Sequence, residues 1–205
     1  EVELREETDV LDTWFSSQLW PFSTMGWPEK TKDFEKFFPT DALVTAADII
    51  FFWVSRMIMI SEYLFDEIPF KYVYLNGIVR DEKGRKMSKT LGNSPDPLDL
   101  IDKYGADAIR FSLLYNTSQG QDIFFSEKLL EMGANFSNKV WNASKFVLQN
   151  LEDFDYKTSI SDLEFKLEDR WILSKLQNAA KGVNNALDGY ELDMAAKTAY
   201  EFFRG

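Results

Sequence analysis

The segment YVYLNGIVRDEKGRKMSKT, residues 72–90, carries the clearest structural signals in the sequence. Residues 72–80 are rich in valine, tyrosine and isoleucine, a composition that predicts a β-strand. The four residues that follow, DEKG, predict a tight turn in which Gly84 adopts the left-handed backbone conformation. Residues 86–90, KMSKT, then combine two lysines with two hydroxyl side chains and predict a basic loop.

The charge of this loop is opposite to that of the rest of the chain. Residues 80–90 contain five basic and two acidic side chains, a local charge of +3, whereas the whole chain carries −11. A basic loop on an acidic protein needs an anionic partner. Lys86 and Lys89, beside Ser88 and Thr90, suit a mobile loop that closes on phosphate groups. From composition alone, the alternative is a solvated hairpin tip.

The regions on either side of this segment predict an α/β domain. Residues 42–44 predict a short strand, after which a buried apolar helix is expected to begin near Asp48. Residues 9–28 are dense in aromatic side chains between prolines and glycines, which predicts a loop or short strand against a pocket. Downstream, Asp96 is expected to cap the first of two short helices that end near residue 114. Strands and helices mixed in this way indicate an α/β fold.

The pattern changes after Ser126, which is a natural helix N-cap. Apolar residues keep helical spacing in three successive segments, over residues 129–147, 172–187 and 192–202. The connection at residues 152–164 is polar and acidic. This part of the chain is therefore predicted to be a helical bundle or the beginning of one.

The composition limits the chemistry that the chain can perform. It contains no cysteine and no histidine, which excludes a disulfide framework, a thiolate metal site and a histidine general base. We expect no metal bound by the protein itself in this segment. The richest apolar run, residues 49–60, is too short to cross a membrane, and the acidic start does not resemble a secretory signal, so the chain is predicted to be cytoplasmic. Both ends are expected to be cut from a longer protein.

The basic loop and its neighbours resemble one protein family. KMSKT followed by LGN is similar to the KMSKS loop of class I aminoacyl-tRNA synthetases. Further matches occur in the order found in the valine-specific branch of that family and cover nearly the whole chain: DVLDTWFSS (residues 9–17), LWPFSTMGWP (19–28), PTDALVT (39–45), DIIFFWVSRM (48–57), PFKYVYLNGIVRDEKGRKMSK (69–89), DPLDLIDKYGADAIR (96–110), GQDIFFS (120–126), NFSNKVWNAS (135–144) and DRWIL (169–173).

The resemblance implies a fold and an activity. Residues 1–126 are expected to form the second half of a Rossmann-type catalytic domain that includes the KMSK-type loop at residues 86–90. Residues 127–205 are expected to form a helical linker and the start of an anticodon-binding bundle. The implied reaction joins valine to ATP, which carries Mg²⁺, and then transfers the valyl group to tRNA(Val).

The resemblance also implies roles for individual residues. Lys86 and Lys89 are expected to stabilise the triphosphate as charge moves onto the departing pyrophosphate. The residues expected to contact ATP are Asn76, Gly77, Lys86, Met87, Ser88, Lys89 and Thr90. Those expected to contact the amino acid or its adenylate are Trp14, Asp48 and Trp53. From the residues alone, an ordinary core tryptophan is the favoured interpretation of Trp53, and Asp48 can cap the helix, face the adenylate, or do both.

Three positions depart from the family pattern, which usually has glycine, histidine and serine where this chain has Ala46, Asn76 and Thr90. The family's other ATP motif, His-x-Gly-His, is not found in these residues and is expected in a missing N-terminal half. The isolated chain is therefore predicted to be inactive. The alternatives are an isoleucyl or leucyl member of the family, or a non-catalytic RNA-binding or interaction module derived from it.

Overall fold

Parallel strands joined by helices form the first part of the chain. The computed structural model describes residues 6–152, 154, 157, 159, 161 and 163–205. Contacts between α-carbons divide the chain into two units, residues 1–76 and residues 77–205. In chain order, the elements of the first unit are α1 (Thr13–Gln18), α2 (Trp20–Ser23), α3 (Lys32–Phe37), β1 (Thr40–Ala46), α4 (Ser55–Phe65) and β2 (Phe70–Asn76).

Strands β1 and β2 pair in parallel, with Thr40 opposite Phe70 and Ala46 opposite Asn76. Parallel neighbours need a long crossover connection, and α4 lies in the segment that joins them. Leu43 of β1 and Phe70 are buried in one apolar core together with Val54 and Met57. The predicted strand over residues 72–80 is therefore two strands, because β2 ends at Asn76.

The helical region after β1 begins near Asp48, as predicted, but less regularly than predicted. It starts with a 3₁₀ turn at Ala47–Ile49 and one π-helical turn at Ile50–Val54, before α4. Asp48 thus lies within the first turn, where a carboxylate favours the helix dipole, and it is not the N-cap residue. The prediction that this helix is buried is wrong. Phe51 is 74% and Met59 70% exposed, because only one face of the helix packs on the core.

The N-terminal aromatic segment forms helices, whereas a loop or short strand was predicted. Asp12 caps α1 by accepting a hydrogen bond from the backbone N–H of Trp14 at 3.0 Å, and Pro21 lies in the first turn of α2, where a proline costs nothing. Phe22 is fully buried. It is the centre of a cluster of aromatic rings that also contains Trp27, Phe34, Phe38 and Phe65.

The second unit combines a short strand pair with longer helices. Its elements in chain order are β3 (Val79–Arg80), α5 (Pro97–Tyr104), α6 (Ala106–Asn116), β4 (Ile123–Phe124), α7 (Glu127–Gln149), α8 (Leu167–Asp188) and α9 (Leu192–Arg204). β3 and β4 pair in parallel. The predicted cap of α5 is confirmed, since Asp96 accepts a hydrogen bond from the backbone N–H of Leu98 at 2.8 Å and the helix ends at Gly105.

Helices α6, α7 and α9 pack together and form the start of the predicted helical bundle. Gly133 allows α7 to approach α6 closely, because a Cβ there would lie 2.4 Å from the carbonyl oxygen of Ala108. Ser126 occupies the N-cap position of α7, but its side chain makes no capping hydrogen bond. In the part of the chain that the structure describes, no helix has the length and apolar character needed to cross a membrane. The predicted fold class, α/β followed by helices, is confirmed.

Candidate active site

A small cavity in the first unit is walled by tryptophans. Trp14 of α1 and Trp53 of the π-helical turn line it together with Ser17 and Trp20, and its volume is about 210 Å³. The indole N–H of Trp53 donates a hydrogen bond to the carbonyl oxygen of Ser17 at 3.0 Å. The only polar group of the ring thereby has a hydrogen-bond partner, and the bond fixes the position of the ring against α1. A cavity walled by aromatic carbon suits a small aliphatic group.

Ring contacts hold the walls of this cavity in place. Trp14 stacks on Phe52 with ring centroids 5.9 Å apart, and Trp20 meets Trp53 edge to face, also at 5.9 Å. The structure thus brings the two predicted residues, Trp14 and Trp53, to one cavity. Trp20 was not predicted as a site residue, because the density of aromatics in this segment does not reveal which rings share a face. The binding role of the cavity stays a prediction.

The carboxyl ends of β1 and β2 hold two of the positions that depart from the family pattern. Ala46 and Asn76 are the last paired residues of the two strands and lie opposite each other. Asp48 follows two residues later and is exposed. In open α/β sheets, ligands bind beyond the carboxyl ends of the strands, so these residues lie where such a site is expected. Their contact with a nucleotide or adenylate stays a prediction.

Gly77 is the first residue of the second unit, and its backbone lies very close to the backbone of Gln121. A Cβ at this position would lie 1.7 Å from the carbonyl oxygen of Gln121, so no side chain fits there. The sequence interpretation assigned this glycine to the approach of adenosine. The backbone of Gln121 is by itself sufficient reason for a glycine, and the nucleotide contact stays a prediction.

The basic segment forms a hairpin that starts from β3. The backbone N–H of Met87 donates to the carbonyl oxygen of Val79 at 3.1 Å, and Arg80 and Lys86 form an antiparallel bridge. The predicted turn is confirmed: Gly84 has φ +77° and its N–H donates to the carbonyl oxygen of Asp81 at 2.9 Å. The hairpin thus presents residues 86–90 at a defined position relative to the strand.

Asp122 ties the base of this hairpin to the strand pair. Its carboxylate accepts a hydrogen bond from the backbone N–H of Ile78 at 2.9 Å and forms an ion pair with Arg80. The hydrogen bond from Ile78, followed by the one from Arg80, holds the pKa of Asp122 below its ordinary value of 3.8. Arg80 also donates to the carbonyl oxygen of Gly84 at 3.1 Å, so its guanidinium braces the turn.

The side chains of the loop differ in exposure. Lys86, Lys89 and Thr90 are exposed, whereas Met87 and Ser88 are partly buried. The Ser88 hydroxyl accepts a hydrogen bond from the backbone N–H of Leu91 at 3.2 Å, which leaves its own proton to donate. Among the described residues, Lys89 forms no ion pair, and no cluster of acidic side chains suits a metal ion.

Comparison with known proteins identifies the family of this chain. The family model for class I tRNA synthetases (I, L, M and V) matches residues 1–126, and the model for the anticodon-binding domain of tRNA ligases matches residues 169–205. The chain therefore belongs to the class I tRNA synthetases that comprise the isoleucyl, leucyl, methionyl and valyl enzymes.

Within this family, the chain is similar to valine–tRNA ligases. It is 64% identical to the valine–tRNA ligase of Fusobacterium nucleatum over 100% of the chain, and 55% identical to that of Fervidobacterium nodosum over 97%. In both cases it covers 23% of the relative, so the chain spans about a quarter of the length of the proteins it matches. The predicted resemblance to the valine-specific branch is confirmed.

Solved structures show the same fold at lower identity. The leucyl enzyme of Agrobacterium radiobacter K84, solved with tRNA and LeuAMS, matches with a TM-score of 0.86 at 24% identity, over 97% of this chain and 27% of that one. The methionyl-tRNA synthetase of Mycobacterium tuberculosis, solved with methionyl-adenylate, matches with a TM-score of 0.73 at 22% identity, over 93% of this chain and 38% of that one.

Proposed function

We propose that the complete protein containing this chain is an ATP-dependent valine–tRNA ligase. The carboxylate of valine attacks the α-phosphate of ATP, a new C–O–P linkage forms, and pyrophosphate leaves with the electron pair of the broken P–O bond. The valyl group then passes from the adenylate to the 3′-terminal ribose of tRNA(Val), and AMP leaves. Mg²⁺ enters as part of the ATP substrate. We also propose, as predicted from the sequence, that the reaction takes place in the cytoplasm.

The observation that carries this proposal is the lysine loop on its hairpin. Pyrophosphate gains negative charge as it departs, and a preorganised cation stabilises that charge more than it stabilises bound ATP. Lys89 is exposed and forms no ion pair with any described residue, so its ammonium group is available to an incoming phosphate. Lys86 lies on the hairpin at the start of the same loop and provides a second cation.

Chemistry of this kind explains how a chain without histidine or cysteine contributes to catalysis. The amino-acid carboxylate is itself the nucleophile, so the protein supplies position and charge. Met87, Ser88 and Thr90 complete the ATP-binding loop, and Asn76 and Gly77 are proposed to lie beside the nucleotide.

The tryptophan cavity is proposed as the site for the valine side chain. Its aromatic walls, Trp14 and Trp53, offer apolar contact to an isopropyl group, and its volume of about 210 Å³ suits a small residue. Asp48, exposed beyond the end of β1, is proposed to face the amino group or ribose of the adenylate. A carboxylate is the appropriate partner for an ammonium group or for hydroxyls.

The two parts of the chain are proposed to have different functions. Residues 1–126 are assigned to the catalytic domain, and residues 127–205 to the linker and the start of the anticodon-binding bundle. The two compact units meet at residues 76 and 77, a division that reflects packing. The proposed division between residues 126 and 127 concerns function and stays a prediction.

The test is amino-acid-dependent exchange of pyrophosphate into ATP by the complete protein. We expect exchange with valine and much weaker exchange with isoleucine or leucine. The isolated 205-residue chain is expected to show no exchange above a blank without enzyme. Exchange that depends on isoleucine or leucine would assign the protein to another branch of the family, and no exchange with any amino acid would refute the ligase assignment.

A further inference from the structure

The loop clamp, as we call the side chains of Asp81 and Asn93, joins a residue five positions before the KMSKT segment to a residue three positions after it. The Asn93 amide nitrogen Nδ2 donates to Asp81 Oδ2 at 3.0 Å, and Asn93 Oδ1 accepts from the backbone N–H of Ser88 at 2.9 Å. Nδ2 also lies 3.4 Å from the carbonyl oxygen of Lys86. One amide therefore contacts the Asp81 carboxylate ahead of the loop and the backbone at the start and the middle of the loop.

Asp81 is itself held by several donors. Its Oδ1 accepts the backbone N–H groups of Lys83 at 3.0 Å and Arg85 at 2.9 Å. Its Oδ2 accepts the Arg85 guanidinium through Nε at 2.8 Å and Nη2 at 2.7 Å. The hydrogen bond from Asn93, followed by those from Arg85, holds the pKa of Asp81 well below its ordinary range. The carboxylate is thus charged and fixed at neutral pH.

Two cations of this region, Arg85 and Lys89, differ in whether they form an ion pair. Arg85 is neutralised by Asp81, whereas Lys89 forms no ion pair among the described residues. Because Asn93 fixes the backbone of Ser88, it also limits where the next residue, Lys89, can project. Asp81 is an anion and Asn93 is uncharged, so neither attracts a phosphate group by charge, and the Asn93 amide nitrogen is already directed at Asp81 and at the carbonyl oxygen of Lys86.

We infer that the loop clamp positions Lys89 for the activation step, and that Asp81 and Asn93 are positioning residues of the ligase. This inference rests on the proposed function. A cation placed about 1 Å away from its productive position loses much of its effect on a developing charge, on the order of a hundredfold in rate. The clamp acts only through the triphosphate chemistry, since the transfer of valine from the adenylate to tRNA involves no triphosphate.

The test uses the complete enzyme with Asn93→Ala, Asp81→Asn and the exchanged pair Asp81→Asn with Asn93→Asp. In Asp81→Asn alone, an amide nitrogen replaces the oxygen that accepts from Asn93 and from Arg85, so only donors meet there. In the exchanged pair, the amide at position 81 donates to the carboxylate at position 93, whose other oxygen still accepts from Ser88. The Arg85 guanidinium lacks its acceptor in the exchanged pair, as it does in Asp81→Asn alone. Glu82→Gln, an exposed change of charge in the same turn, is the matched control.

Two rates are measured for each variant: adenylate formation at saturating ATP and valine, and single-turnover transfer of valine from isolated enzyme-bound adenylate to tRNA. We expect Asn93→Ala and Asp81→Asn to form adenylate about tenfold to a hundredfold more slowly, and to transfer valine at the wild-type rate. The exchanged pair should form adenylate at least about fivefold faster than Asp81→Asn, which lacks the same contact with Arg85, as expected for directly coupled side chains. Glu82→Gln should match wild type in both steps.

The outcomes separate the two proposals. If wild type shows no valine-dependent adenylate formation, the proposed function fails, and the role of the clamp fails with it. If wild type is active and the single variants form adenylate normally, the clamp inference alone is overturned. An equal loss in both steps, or an exchanged pair no faster than Asp81→Asn, also overturns it, because either result indicates a general structural role.

Discussion

The tryptophan cavity of the first unit and the lysine loop of the second are assembled in opposite ways. The cavity depends on contacts between distant parts of the chain, since 36 positions separate Ser17 from Trp53. The loop is held by groups close in sequence, with 12 positions between Asp81 and Asn93. Apolar packing shapes the first, whereas charge-assisted hydrogen bonds shape the second. The proposed amino-acid cavity and the proposed ATP loop thus depend on different kinds of interaction.

The largest expected effect comes from a substitution in the lysine loop. In the complete enzyme, Lys89→Ala should slow adenylate formation about a hundredfold or more, the cost of about 3 kcal/mol for losing one preorganised donor to a developing charge. The dissociation constant of ATP should change much less. The measurement is pre-steady-state adenylate formation across a range of ATP concentrations. Lys83→Ala, which removes another exposed cation of the same hairpin, is the control.

A different result for Lys89→Ala would change the interpretation of the loop. If the maximal rate stayed the same and only the dissociation constant of ATP rose, Lys89 would be a ground-state anchor for ATP. If Lys83→Ala slowed the reaction equally, the general positive charge of the hairpin would matter and the position of Lys89 would not.

The second effect concerns the backbone beneath the loop. Gly77→Ala would place a methyl group 1.7 Å from the carbonyl oxygen of Gln121, so the backbone must shift. We expect a loss of about 1–3 kcal/mol in stability, seen as a lower thermal unfolding temperature of the complete enzyme. The control is Gly182→Ala, whose new methyl group would meet only the Thr198 side chain, at 3.3 Å. Equal unfolding temperatures for the two variants would contradict the steric argument.

The same contrast explains what the sequence predicts and what it does not. The turn at Gly84 and the cap at Asp96 depend on local backbone chemistry, and both were predicted correctly. The break at Gly77 was missed, because it depends on Gln121, which is distant in sequence. The helices of residues 13–23 were missed for a different reason: their signal is local, but alternating aromatics and prolines indicate irregular structure unless the cap at Asp12 is recognised.

The candidate site also contains residues that the sequence predicts and residues that it does not. Lys86 and Lys89 stand out because a basic pair on an acidic chain is a local signal. The wall at Trp20 and the clamp at Asn93 were not predicted. The neighbours of Trp20 are set by tertiary packing, and an asparagine in a polar loop gives no sign of which backbone groups it binds.

The third effect tests the cavity directly. Trp53→Phe keeps an aromatic wall but removes the N–H that donates to Ser17, a hydrogen bond worth about 1 kcal/mol. We expect the KM for valine to rise about fivefold, with the KM for ATP unchanged, in steady-state pyrophosphate exchange. The control is Trp171→Phe, because Trp171 lies on α8 and is largely exposed. A change confined to the KM for ATP would remove Trp53 from the amino-acid site.

The smallest effect concerns the Asp122 contacts that anchor the hairpin, and it depends on pH. The pKa of Asp122 is lowered in the folded chain, so its contribution to stability is present above the ordinary value of 3.8 and is lost as the pH falls through the lower folded value. In Asp122→Asn, the ion pair with Arg80 is absent at every pH. Hydrogen exchange at the Ile78 amide, which donates to Asp122, reports this difference locally. We expect the amide to be better protected in wild type than in the variant at about pH 7, and the difference to shrink only below the ordinary pKa. A difference that stayed constant into the acid range would show that the charge of Asp122 contributes nothing and that its shape alone holds the hairpin.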